Sequence, residues 1–262
     1  MTNVISFLNF KGGVGKTTSA VNVGKAFHDM GKKVLVIDAD AQGNASRMMG
    51  FRPSVDKNLN TLYDAMMGKC PIQECILMDN DNVNSFDYIP SNATLYQSEM
   101  ELVSRMGRET ILAKIIEKIK PYYDYILIDC PPNNGLLSIN AMYASDFLII
   151  PINCEIFAID GMSVISAKYE EVKEYLNHSL DILGYVMCRY DKRLTLHREA
   201  LSTMEKSFPG KVFDTKIRTN IQLAESPAQQ TNIFDYDPKS NGAADYAALA
   251  KEIITKIENH GN

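Results

Sequence analysis

The chain has 262 residues, 45% hydrophobic and 23% charged, ordinary values for a soluble globular protein, and its net charge of −5 excludes a polycation, so any contact with nucleic acid needs a local basic patch. Five scattered cysteines (Cys70, Cys75, Cys130, Cys154, Cys188) form no C-x-x-C pair, which argues against a disulfide framework and fits small buried hydrophobes in a reducing cytoplasm. The sequence has neither a basic-then-apolar leader nor an apolar run approaching the ~20 residues of a membrane span.

In chain order, "NVISFLNF" (3–10) reads as a buried strand. The helical spacing of "KTTSAVNVGKAFHDMG" (16–31) places Val21, Val23, Ala26, Phe27 and Met30 near one side, and Gly31 stops it. Further strands are expected at 32–40, 122–132, 146–152, 181–191 and 212–217, with a shorter candidate at 86–91. Helices are expected at 108–120, 134–145, 158–177, 194–207 and 242–259, and the polar stretch 77–87 reads as an exposed turn. Near-continuous apolar strands alternating with helices predict an α/β fold: one P-loop NTPase domain over 1–262, a mostly parallel twisted sheet with helices on both faces.

Between the first strand and the first helix lies "FKGGVGKTT" (10–18). The general phosphate-loop pattern G-x-x-x-x-G-K-[ST] would place a glycine at Phe10; this chain has none there and adds Lys11. Gly12, Gly13 and Gly15 let backbone N–H groups crowd an anion at the positive end of the helix. Lys16 reaches terminal phosphates and the Thr17 hydroxyl suits Mg2+. "VLVIDAD" and "YILIDCPP" carry Asp38, Asp40 and Asp129 to the carboxyl edge of the sheet, where open α/β sheets bind ligands. Asp38 and Asp129 can hold metal-bound waters. Asp40 is a candidate base or orienter for an attacking water. Lys11, ahead of the glycines, makes sense as a cation that reaches the nucleotide of a neighbouring subunit.

These segments resemble the ParA/Soj family of deviant Walker A DNA-partitioning ATPases. The matching stretches are Lys11 to Thr18, "VIDADAQGNAS" (36–46), "LIDCPPNNG" (127–135), "YDKR" (190–193), "IQLAESP" (221–227) and "DYDPKSNGAADYAALAKEI" (235–253). The resemblance implies that Gly12, Gly13, Val14, Gly15, Lys16, Thr17 and Thr18 hold ATP. It makes Thr17 the direct Mg2+ ligand, Asp38 and Asp129 the metal-linked acids, and Asp40 the residue that activates water. It further implies an ATP-dependent homodimer with Lys11 reaching across it, binding to double-stranded DNA without sequence specificity, and release on hydrolysis stimulated by a ParB-type partner. The protein would be cytoplasmic and nucleoid-associated when ATP-bound. The loop starts by residue 11, so the short form without an added helix-turn-helix domain is expected.

Residues 189–218 hold eight Lys or Arg against four Asp or Glu, a local excess in an acidic protein. Lys192, Arg193, Lys211, Lys216 and Arg218 are the candidate DNA contacts, with Arg193 first because it matches the arginine of the family's Y/F-D-x-R element. In "IRTNIQLAESP", Arg218 occupies the family's proline position, and Thr219 and Gln222 replace its usual arginines. The base of the nucleotide is expected near the end of the 181–191 strand and the loop before Pro227. The alternative is a MinD-like membrane-cycling ATPase, but the tail "KEIITKIENHGN" lacks the basic, bulky-apolar amphipathic helix this needs.

Overall fold

The structure is a computed structural model that describes residues 2–77, 86–154 and 158–260. The strands are β1 (Asn3–Phe7), β2 (Val34–Asp38), β3 (Asp87–Ile89), β4 (Tyr125–Asp129), β5 (Phe147–Asn153), β6 (Asp181–Tyr190) and β7 (Ile217–Arg218). The helices are α1 (Lys16–Asp29), α2 (Asn44–Met48), α3 (Leu62–Met67), α4 (Leu95–Leu102), α5 (Ile111–Ile116), α6 (Leu136–Ala144), α7 (Ala158–Tyr175), α8 (Thr195–Ser207), α9 (Gln222–Glu225), α10 (Ile233–Tyr236) and α11 (Asn241–His260).

The strands form one sheet in the order β3-β2-β4-β1-β5-β6-β7, with every pairing parallel. Burial explains the strand sequences. Every residue of β2 and β4 is buried, as a parallel sheet covered on both faces requires. Side chains alternate between two core layers. Val4, Leu35, Ile37, Ile126, Ile128 and Leu148 face the layer built with α6 and α7. Ile5, Val34, Val36, Tyr125, Leu127 and Ile149 face the layer that holds Phe27 of α1 and Tyr246 of α11. Helices therefore cover both faces, as the alternation predicts.

Several boundaries differ from the expected ones. The strands expected at 3–10, 32–40 and 122–132 end at Phe7, Asp38 and Asp129, and their remaining residues form loops above the sheet. The strand expected at 212–217 reduces to one bridge, Tyr185 to Val212, followed by β7 at Ile217–Arg218. Between these points the N–H groups of Asp214 and Thr215 donate to the Glu252 carboxylate on α11 (2.6 and 2.8 Å) rather than to β6. The helix expected at 108–120 keeps α-form only over α5, between 3-10 turns at Arg108–Thr110 and Lys120–Tyr122. Of the turn expected at 77–87, Leu77 bridges Tyr88 in antiparallel fashion; residues 78–85 lie outside the described residues.

Candidate nucleotide site and the neighbouring basic groove

Parallel strands deliver their carboxyl ends to one edge, and the phosphate loop leaves β1 there. Two asparagines that the motif does not include pin it. Asn9 accepts from the Lys11 N–H (2.9 Å) and donates to the Pro151 carbonyl after β5 begins (2.8 Å). Asn153 donates to the Gly13 carbonyl (3.3 Å). Gly13 and Gly15 sit at φ +73° and +99°, where a side chain would strain the loop. A Cβ on Gly12 or Gly13 would meet nothing within 4 Å, so the cradle is open. A Cβ on Gly15 would lie 3.2 Å from Cys188 Sγ, so the loop also needs glycine there to rest on β6.

The loop borders a cleft of about 550 Å3, lined by Gly12, Gly13, Gly15, Lys16, Thr17 and Thr18 from the loop and Asp40 from the segment after β2. Lys16 is buried, and its Nζ donates to the Lys11 carbonyl (3.1 Å). Burial lowers its pKa, while Asp129, Cys130 and Asp40 oppose the shift. The Lys11 residue is exposed at the tip, as its place in the sequence suggests.

Asp38 and Asp129 end adjacent strands and are paired in register. Both are fully buried, yet their surroundings differ. Asp38 Oδ2 accepts from the Ser46 N–H (2.7 Å) and hydroxyl (2.6 Å), and Oδ1 from the Asp40 N–H (3.0 Å). These bonds fasten the segment entering α2, yet burial still pushes Asp38 up to about 6. Neither carboxylate oxygen of Asp129 makes a hydrogen bond. Burial, then the nearby Asp38, holds Asp129 well above the ordinary carboxylate range; the Thr17 hydroxyl and the Lys16 ammonium pull the other way. A sealed carboxylate with no hydrogen bond is costly to charge, more so than a neutral polar group, whose uncompensated burial costs roughly 2–7 kcal/mol. A cation, with its waters, at this spot would remove that cost. Asp40 Oδ1 accepts from the Gln42 N–H (2.9 Å), which holds the carboxylate at the cleft.

Arg189 also lines the cleft, and no motif points to it. It sits at φ 54° where β6 and β7 slip register, a left-handed conformation that is strained for a side chain. It borders a second hollow with Val14, Cys188, Asn220, Leu223 and Ala224, at the end of β6 and ahead of Pro227.

The candidate DNA contacts do not stay together. Lys192, Arg193, Lys216 and Arg218 line a groove of about 620 Å3 beyond the end of β6. Lys211 lies at the opposite end of that strand, paired with Asp181 (2.7 Å) and bonded to the Ile182 carbonyl. Arg218 is held by Asp245 of α11 (2.6 Å). Arg193 is exposed but clasps Asp191 (2.7 Å), and that contact drives the Asp191 carboxyl down to about 2. Lys216 donates to the Asp214 carbonyl (3.0 Å). The basic excess counted along the sequence is therefore partly cancelled in space.

A family model described as an AAA domain matches residues 2–182. The chain is 39% identical over 253 residues to the sporulation initiation inhibitor protein Soj of Bacillus subtilis, covering 97% of this chain and 98% of that protein. It is 37% identical over 255 residues to the chromosome partitioning protein ParA of Caulobacter vibrioides, covering 97% and 94%. A crystal structure of cobyrinic acid a,c-diamide synthase from Mycobacterium smegmatis, with bound ADP and magnesium, matches with a TM-score of 0.83 at 28% identity, covering 96% and 93%.

Proposed function

The chain belongs to the Soj/ParA family of partitioning ATPases, and from that premise we propose that it hydrolyses ATP to drive a cycle of pairing, DNA binding and release. The observation that carries the reading is Asp129: a buried carboxylate with no hydrogen bond, facing Thr17 and Lys16 under an open glycine cradle. The donor set fits Mg2+, which prefers oxygen ligands and keeps several waters. Thr17 would hold the ion directly, with Asp129 and Asp38 acting through water. Once bound, it would neutralise phosphate charge.

The chain's own residues supply the rest. Backbone N–H groups from Gly12 to Thr18, Val14 included, would take the phosphates, aided by the first turn of α1. Lys16 Nζ would exchange the Lys11 carbonyl for a phosphate oxygen, freeing the loop tip to reorganise. The Gln42 N–H occupies Asp40 Oδ1, which leaves Oδ2 to orient an attacking water and accept its proton. The hollow bounded by Val14, Arg189 and Asn220 would seat the base. Lys11 would neutralise phosphate charge across a homodimer. That dimer would bind double-stranded DNA on the nucleoid through the groove beyond β6, and a ParB-type partner would accelerate hydrolysis and release it.

Lys11→Ala tests the coupling. It should still bind ATP but fail to pair, and turnover with DNA and a ParB-type partner should fall at least tenfold. Light scattering with ATP, with ADP and without nucleotide reads pairing, and phosphate release reads turnover. Pairing and turnover that both survive the substitution would overturn the cross-subunit role.

A further inference from the structure

Cys70 and Cys75 read as two of five scattered cysteines, but the fold brings them together. Gly68 ends α3 in a left-handed turn (φ +74°), Pro71 follows, and a 3-10 turn over Ile72–Cys75 folds the chain back. The two Sγ atoms lie 3.4 Å apart and share a hydrogen bond, with both thiols reduced. A disulfide needs about 2.05 Å between sulfurs, so small rotations of the two side chains suffice. Accessibility separates their roles. Cys70 is half-buried and reachable from solvent, whereas Cys75 is buried, its Sγ directed at the Thr61 carbonyl (3.2 Å). Cys130, Cys154 and Cys188 are all buried.

We propose that Cys70 and Cys75 form an oxidisable dithiol that closes to an intramolecular disulfide on reaction with a hydroperoxide. The Cys70 thiolate attacks the terminal peroxide oxygen, the O–O bond breaks, and the alcohol or water leaves, giving Cys70 sulfenic acid. Cys75 Sγ then attacks Cys70 Sγ. The S–O bond breaks, the Cys75 proton leaves with the hydroxyl as water, and the S–S bond forms. Two thiols are oxidised and one peroxide is reduced. Burial raises the Cys75 thiol above its usual range, so the first attack falls to Cys70, the more accessible of the two. The step closes the turn after α3 and removes the S–H directed at Thr61. It is independent of the nucleotide reading.

The test uses the whole folded chain. After hydrogen peroxide, free thiols are alkylated and the protein is cut after Lys69 and after Glu74, which separates the two cysteines. The expected result is one cross-linked species containing Cys70 and Cys75, lighter by two hydrogens and released by dithiothreitol, with Cys130, Cys154 and Cys188 still alkylated on denaturation. Cys70→Ser, at the half-buried position, should abolish the cross-link while keeping the melting temperature of the reduced protein. Both thiols remaining alkylatable, or Cys70 passing to sulfinic acid without the cross-link, would overturn the proposal.

Discussion

Asp129 shows how a site residue can oppose the stability of the fold that carries it. Its pKa is raised in the folded chain above the ordinary carboxylate range, first by burial and then by Asp38. An acid with a raised folded pKa binds its proton more tightly when folded, so stability falls as pH rises from about 4 toward that pKa. In buffer without nucleotide or magnesium, the melting temperature should therefore rise as pH drops through that pKa. Asp129→Asn should raise it at pH 7.5, flatten that pH dependence and weaken magnesium-dependent nucleotide binding. A lower melting temperature for Asp129→Asn at pH 7.5 would show that the carboxylate is stabilised by contacts absent from this site. The sequence made Asp38 and Asp129 look alike, each an acid closing an apolar strand. Only the fold separates them, because Ser46 reaches Asp38 from α2, a five-residue helix too short to show periodicity. The pinning asparagines Asn9 and Asn153 were invisible for a related reason: each acts on backbone that only the sheet brings near.

The elements most legible in the sequence were those buried on both faces. β1, β2, β4, β5 and β6 follow from apolar runs, and α1 and α11 from their spacing. The pieces missed are short and held by specific bonds: α3 is started by a Thr61–Asp64 capping box, and β7 is shortened because Glu252 takes two N–H groups from its approach. Gly24 marks how tightly the first helix sits on the sheet. A Cβ there would lie 2.9 Å from Val36 Cγ2 and 3.4 Å from the Phe86 ring. Val36 is fully buried and stiff at χ1, so it cannot turn aside. Overpacking costs about 1–3 kcal/mol, against a helix-propensity gain of about 1 kcal/mol for replacing glycine with alanine. Gly24→Ala should lower the melting temperature by a few degrees, at about 2–4 °C per kcal/mol for a chain approaching this size. An increase on thermal unfolding would mean that α1 has room to lift from β2, and that the loop it anchors is less rigidly placed than argued.

Over the whole molecule, charge decides what a protein of net −5 can do with a polyanion. A window count over 189–218 suggests a uniform basic face, but it misses partners far away in sequence. Asp245 lies 27 residues from Arg218, and Asp181 lies 30 from Lys211. The groove beyond β6 itself is lined by Lys192, Arg193 and Lys216, with Arg218 paired to Asp245. One such patch is weak, and two held together in a dimer gain by effective concentration. Among the described residues Arg193 is the most exposed side chain of any ion pair, at 84%, and its contact with Asp191 is open to water and worth little. It can therefore leave Asp191 for a phosphate at small cost. If each subunit of a pair contributes Arg193 to one phosphate, Arg193→Ala removes two contacts per dimer. The slope of log affinity against log salt should then shrink by about 1.8, at roughly 0.9 per phosphate on duplex DNA. The loss should be the same for unrelated DNA sequences, because phosphate contacts carry no base information. Pairing with ATP should be unchanged, since Arg193 lies outside the cleft that holds Lys16 and Asp40. A variant that keeps the wild-type slope would remove Arg193 from the interface and leave Lys192 and Lys216 to carry it. A variant that loses pairing as well would mean that this groove belongs to the dimer contact rather than to DNA.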